Sequence, residues 1–215
     1  MLTRINGSKL PSWREIIEPH PDVAQGRYLN AEFAADLSQV ARGEGAFEYR
    51  DPVEFFARTY VTEGMKGLLI QALKRFGGQD GEPVLQLKTA FGGGKTHSLI
   101  TLYHIAKAGK DLMQNAYAKS ILNVGVEPKF ENARVAVFTN NTLDAVQGHI
   151  VEEDVHIHTI WGELAYRLGG RAGYEMVRAN DEKFIAPTDE IFKPVLASAA
   201  PALILVDELA DYCNK

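Results

Sequence analysis

The sequence predicts an α/β fold built on a parallel sheet and preceded by a helical region. Three observations predict it. Short apolar runs at 84–89 ("VLQLKT"), 134–140 ("RVAVFTN") and 201–208 ("PALILVDE") read as buried strands, because their apolar and β-branched residues are near-continuous rather than alternating. Helical patterns lie between them, and the order strand, helix, strand, helix, strand is that of crossover helices on a parallel sheet. Residues 1–79 carry helical spacing and capping signals with no comparable strand. Two regions follow, 1–79 and 80–215.

In the first region, "PSWREIIEPHP" opens with a capping box from Ser12 to Glu15 and is stopped by Pro19 and Pro21. "NAEFAADLSQVARGEG" places Phe33, Leu37 and Val40 on one helical face and ends on Gly43. The strongest helix spans 51–78. Asp51 is its N-cap, Pro52 its first residue, Glu54 closes the box, and Gly77 and Gly78 end it. Gly64 and Gly67 inside it predict a break or a close helix contact. "QDGEP" (79–83) is a turn into the first strand. Helices are expected over 96–109, 111–122, 159–169 and 188–200, the last bent at Pro194. An insertion is expected roughly from Thr142 to Ala186, since Lys95 and Asp207 lie too far apart for a minimal core.

Bulk properties narrow the function. The 215 residues are 46% apolar and 24% charged, with net charge −5 and pI near 5.7. That balance argues against sequence-blind adhesion to DNA or anionic membrane, which relies on clustered Lys and Arg. Cys213 is the only cysteine, so no intrachain disulfide is possible. Neither a secretory h-region nor an 18-residue apolar stretch is present, and a soluble, cytoplasmic chain is expected.

The most informative stretch is "TAFGGGKTHS", 89–98. A phosphate chain needs converging N–H donors at a density only a closely approaching backbone supplies. Gly92, Gly93 and Gly94 permit that approach, and the helix that follows turns its positive end toward the same anion. Phe91 to His97 form the expected nucleotide-binding stretch. Lys95 reaches the β- and γ-phosphates, and the Thr96 hydroxyl ligates Mg²⁺. The general pattern G-x-x-x-x-G-K-[ST] is not fully met, because Thr89 stands where the first glycine would be. A glycine-rich turn that happens to precede Lys-Thr is the plain alternative. The run "LILVDE" counts against it. An apolar strand ending in Asp207 and Glu208 resembles the Walker B element, with Asp207 holding Mg²⁺ through water and Glu208 as general base. An ordinary strand followed by an acidic helix start is the alternative for that pair alone.

Other residues carry less. His97 either packs against the sheet or senses nucleotide. His156 and His158 fall on one face of a strand, yet no third ligand lies nearby and zinc is not expected. Asn140 and Asn141 polarise a phosphate or simply form a turn. Trp161 and Tyr166 read as core, Arg171 and Arg178 as surface or trans-acting arginines. Cys213 has no base partner.

The stretches "YLNAEFAADL", "YRDPVEFFARTYVTEGMKGLL", "LQLKTAFGGGKTHSLITLYHIAKAG", "HTIWGELAYRLGG" and "PALILVDELADY" together resemble a family of large prokaryotic ATPases. That family is assigned to the AAA+ superfamily and catalogued as a domain of unknown function. Its phosphate loop lacks a leading glycine, so Thr89 fits. The resemblance implies a P-loop NTPase of AAA+ type with ATP bound by Gly92 to Thr96, Mg²⁺ assisted by Asp207, and a catalytic role for Glu208 beside Lys95. It also implies a homo-oligomer or multi-subunit complex acting in DNA methylation-linked, restriction or anti-phage defence, meeting DNA through partner subunits. Such modules continue past the Asp-Glu strand, so a chain stopping at Lys215 resembles an N-terminal fragment with an incomplete sheet. Weak nucleotide binding and turnover well below about one per second are expected of it.

Overall fold

A computed structural model describes residues 12–18, 24, 35–88, 93–126, 129–144 and 146–214. The chain divides into two compact units, Met1–Ala34 and Ala35–Lys215. The first contains α1 (Trp13–Ile16), one turn in which the Glu15 N–H donates to the Ser12 carbonyl at 2.9 Å. Pro19, Pro21 and Phe33 lie outside the described residues.

The second unit begins with α2 (Leu37–Ala41), capped by Asp36, whose carboxylate accepts from the N–H groups of Ser38 and Gln39 at 2.8 and 3.1 Å. α3 (Phe47–Arg50) follows. The long helix expected over 51–78 is two helices, α4 (Pro52–Ala57) and α5 (Glu63–Phe76). Asp51 caps α4 as its position predicts, accepting from Val53 and Glu54 at 2.9 and 3.0 Å. The break falls at 58–62 rather than at Gly64 or Gly67. Thr62 causes it: its hydroxyl accepts from the Met65 N–H at 3.2 Å and starts a new helix.

α6 (Lys95–Ala108) runs straight on from the glycine run, then a 3₁₀ segment (Gly109–Gln114) and α7 (Ala116–Leu122) complete the helical layer. Asn115 caps α7 and divides the helix expected over 111–122. β1 (Arg134–Phe138) pairs in parallel with β4 (Ala202–Val206), from Arg134 opposite Ala202 to Phe138 opposite Val206. Val137 and Leu205 join one core with Leu69, Leu73, Ile100 and Ile105. Ala136 enters a second core with Leu168, Val177 and Val195, with Ile204 packed against it. Both faces are therefore covered, as the continuous apolar runs require.

The strand expected over 84–89 does not form across its described part. Residues 84–88 make no ladder; Val84 is 83% exposed and Leu85 40%. Strand identity depends on pairing, and residues 84–88 pair with neither β1 nor β4.

Between the strands lies what the sequence marked as an insertion. β2 (His149–Glu152) and β3 (Val155–Ile157) form an antiparallel hairpin, and α8 (Ile160–Glu182) packs on it. The sequence ends a helix at Gly169, but helix resumes after Gly170, whose φ of 59° and ψ of −152° break the run. The two halves fold back on each other. Gly173 sits against the Ala165 carbonyl, where a side chain has no room, and Arg134 donates to the Leu168 carbonyl at 2.8 Å. Gly170 occupies a region essentially closed to other residues. Gly170→Ala is expected to lower stability by about 2 kcal/mol, read as a shifted denaturation midpoint. α9 (Asp189–Ala199) and, after β4, α10 (Leu209–Cys213) complete the unit. Among the described residues no helix is long and apolar enough to cross a membrane.

Candidate functional site

Two segments far apart in sequence meet at one end of the sheet. Gly94 lies at φ 73°, ψ 22°, left-handed backbone that suits glycine, and is the N-cap of α6. Lys95, Thr96 and His97 form the first turn. Because Gly94 has no side chain, no side-chain cap occupies the N–H groups opening this helix. α6 is 14 residues long, so its positive dipole end faces the glycine run. Gly93 and Gly94 are exposed, whereas Lys95 and Thr96 are half-buried. Phe91 and Gly92, expected in the same loop, lie outside the described residues, as does Thr89.

From the other side comes the end of β4. The Asp207 N–H donates to the Phe138 carbonyl at 2.9 Å, extending the β1–β4 ladder one residue and fixing the direction of the Asp207 side chain. The Thr96 hydroxyl donates to Asp207 Oδ2 at 3.0 Å, joining residues 111 positions apart. Asp207 Oδ1 accepts from the Glu208 N–H at 3.1 Å. Glu208 itself stands at φ 54°, ψ 34°, left-handed backbone for a residue with a side chain, and opens α10. That conformation costs on the order of 1 kcal/mol. Burial, and then the neighbouring charges of Asp207, Asp211 and Asp36, push the Glu208 carboxyl above its ordinary range.

The β1 end contributes a turn. The Thr142 hydroxyl accepts from the Thr139 N–H at 2.8 Å, and Asn140 and Asn141 lie inside this turn. Since β1 and β4 are parallel and in register, the turn stands beside Asp207 at the same sheet end.

His97 packs rather than facing the glycines. Its ring stacks on Phe55 with centroids 4.6 Å apart, and burial pulls its pKa down. His156 and His158 do share a face, with ring centroids 4.2 Å apart, and one nitrogen of each has a partner within the chain. His156 Nε2 lies 2.5 Å from the Gln147 carbonyl and His158 Nδ1 lies 3.3 Å from Asp181. Arg171 pairs with Glu152 and Asp154, and Arg178 with Glu175 and Glu182. Trp161 and Tyr166 are half-buried, the Tyr166 hydroxyl donating to Glu152 at 2.8 Å.

A second polar cluster was not foreseen. Asp181, fully buried, accepts from the N–H groups of His158 and Thr159 at 3.0 and 2.9 Å, from the Thr159 hydroxyl, and from the Tyr174 hydroxyl at 3.1 Å. Thr159 is the N-cap of α8, its hydroxyl accepting from the Gly162 N–H at 3.2 Å, and Asp181 at the far end of the helix anchors that cap residue. No local spacing announces an anchor 22 residues downstream.

A hard divalent cation takes oxygen ligands, and a hydroxyl and a carboxylate 3.0 Å apart offer two. Thr96 and Asp207 therefore fit such an ion. Among the described residues no group of three or more His, Cys, Asp or Glu is gathered as a metal site.

No curated protein and no solved structure matches the chain. A family model, that of the DUF499 N-terminal domain, matches residues 15–215, and the chain accordingly belongs to the DUF499 family.

Proposed function

We propose that this chain carries a Mg²⁺-ATP site of P-loop, AAA+ type, and that in its full-length context it hydrolyses ATP. The observation that carries the reading is the 3.0 Å hydrogen bond from Thr96 to Asp207. It brings together the two sequence elements that a phosphate site needs, from opposite ends of the α/β region.

The division of labour follows from the residues. Backbone N–H groups at the start of α6 donate to phosphate oxygens, with the helix dipole behind them. Lys95, on the first turn, supplies a positive charge for the terminal phosphates. Thr96 and Asp207 would hold Mg²⁺, which would supply neutralising charge to the phosphates. Glu208 orients the attacking water and takes its proton. Its raised basicity and left-handed backbone set it apart from an ordinary helix-start glutamate. The wider role, a motor or regulatory ATPase of a DNA-directed defence or modification system, is proposed on the family resemblance alone.

Titration of the chain with ATP in the presence and absence of Mg²⁺ tests the site. Saturable, Mg²⁺-enhanced binding is expected, with a rise in melting temperature that grows with ligand concentration. Lys95→Ala is expected to weaken it by about tenfold or more, the effect of losing one charge-assisted contact. No saturable binding by the unaltered chain at millimolar ATP would overturn the proposal.

A further inference from the structure

The first turn of α6 is held from two opposite directions. On one side Thr96 reaches Asp207. On the other, His97 reaches back to α4 and the residue two beyond it, a segment with no part in the phosphate site. The His97 ring lies on Phe55, with planes 29° apart, and meets the Tyr49 ring edge-on at 6.5 Å. Phe55 is 1% exposed and is itself wedged between Phe56 and His104, so the surface beneath the imidazole is rigid.

The direction of the polar contact can be worked out. His97 Nε2 lies 3.0 Å from Thr59 Oγ1. Thr59 Oγ1 has one hydrogen, and it donates that to the Phe55 carbonyl at 2.7 Å. The hydroxyl can therefore only accept from the imidazole, and Nε2 is the protonated nitrogen. The Thr101 hydroxyl donates to the His97 carbonyl at 2.9 Å, tying the same residue to the next turn. His97 is thus fixed by a stack and a directed hydrogen bond across 38 positions of sequence.

We infer that His97 is a positioning residue. Through it, the 51–59 segment sets the rotation of the α6 first turn, and hence how well Thr96 meets Asp207 and the nucleotide. The inference rests on the Mg²⁺-ATP reading of that turn. A hydroxyl that must serve a phosphate-bound ion works only within a few tenths of an ångström, and a helix terminus frays unless something outside it holds it. The Thr59–His97 pair supplies that hold. It also makes the 51–59 segment a handle: whatever moves α4 loosens the nucleotide site without touching it.

Two substitutions isolate the contact. Thr59→Val keeps shape and removes the acceptor; His97→Phe keeps the ring stack and removes the donor. Each is expected to weaken Mg²⁺-ATP binding about 3- to 10-fold by calorimetry, the effect of one ordinary hydrogen bond. The nucleotide-free melting temperature should stay within about 3 °C. Amide exchange over 96–99 in the nucleotide-free chain should accelerate in both. The double variant should be no worse than the worse single one, because both remove the same interaction. Unchanged affinity in both variants, additive losses in the double variant, or unchanged exchange over 96–99 each overturn the inference. Failure of the unaltered chain to bind Mg²⁺-ATP overturns this inference together with the site assignment. Binding by the unaltered chain with indifferent variants overturns the inference alone.

Discussion

Asp181→Ala is expected to destabilise the chain by about 3–5 kcal/mol, the range for removing one partner from a buried, charged hydrogen-bond cluster. The carboxylate is fully buried and receives the N–H groups of His158 and Thr159 and the hydroxyls of Thr159 and Tyr174. Alanine leaves those buried donors without the carboxylate that accepts from them. Tyr174 is itself 1% exposed, and burial followed by the nearby Asp181 charge drives its hydroxyl well above the ordinary phenol range. The Tyr174 hydroxyl retains the His156 carbonyl, 3.0 Å away, as an acceptor, so the loss falls mainly on the N–H groups of His158 and Thr159 and on the Thr159 hydroxyl. Thermal denaturation should show a fall of about 10 °C for a chain of this size. Asp181→Asn keeps one acceptor oxygen and should lose roughly half as much. A fall of less than about 1 kcal/mol for alanine would mean that the cluster is solvated and that α8 does not depend on it.

The second large effect concerns chemistry. Glu208→Gln is expected to lower ATP hydrolysis at least 100-fold while Mg²⁺-ATP affinity changes less than about threefold, the usual signature of a lost general base. Glutamine keeps the shape and removes the ability to take a proton. Phosphate release measured beside calorimetric affinity separates the two effects. Glu208→Gly is the companion variant. It relieves the left-handed backbone of residue 208 and should raise stability by up to about 1 kcal/mol while abolishing hydrolysis. Hydrolysis that survives Glu208→Gln refutes the role given to Glu208. Binding without any hydrolysis in the full-length protein favours a nucleotide-dependent switch.

Much of this arrangement is legible in the sequence, for identifiable reasons. The strands at 134–138 and 202–206 announce themselves because burial on both faces demands an unbroken apolar run. Asp51 and Pro52 mark a helix start by purely local chemistry, and the structure uses them as written. Lys95, Thr96, Asp207 and Glu208 stand out as candidates because each belongs to a short pattern whose spacing is local, even though the two patterns are far apart.

What was missed is mostly non-local. The 84–88 segment has strand composition but pairs with neither β1 nor β4. Gly169 and Gly170 look like a helix stop, yet Tyr174, Val177 and Val195 share a core that carries the helix onward past them. Of the β2–β3 hairpin only the strand bearing His156 was legible; a mixed polar pattern and the lack of an Asn-Gly turn hide the pairing. His97 reads as a packing residue or a nucleotide sensor until Thr59 and Phe55 are brought to it from upstream positions.

The Gly170 reversal has a further consequence for how the molecule comes apart. Because residue 181 latches residues 158 and 159, the segment between them closes on itself like a clasp. Opening either arm pulls Asp181 away from the residues that start the helix, so partial fraying gains little entropy and forfeits the whole latch. Residues 158–182 should therefore exchange with solvent as one cooperative block, while the sheet next to them keeps its own, separate rate of opening.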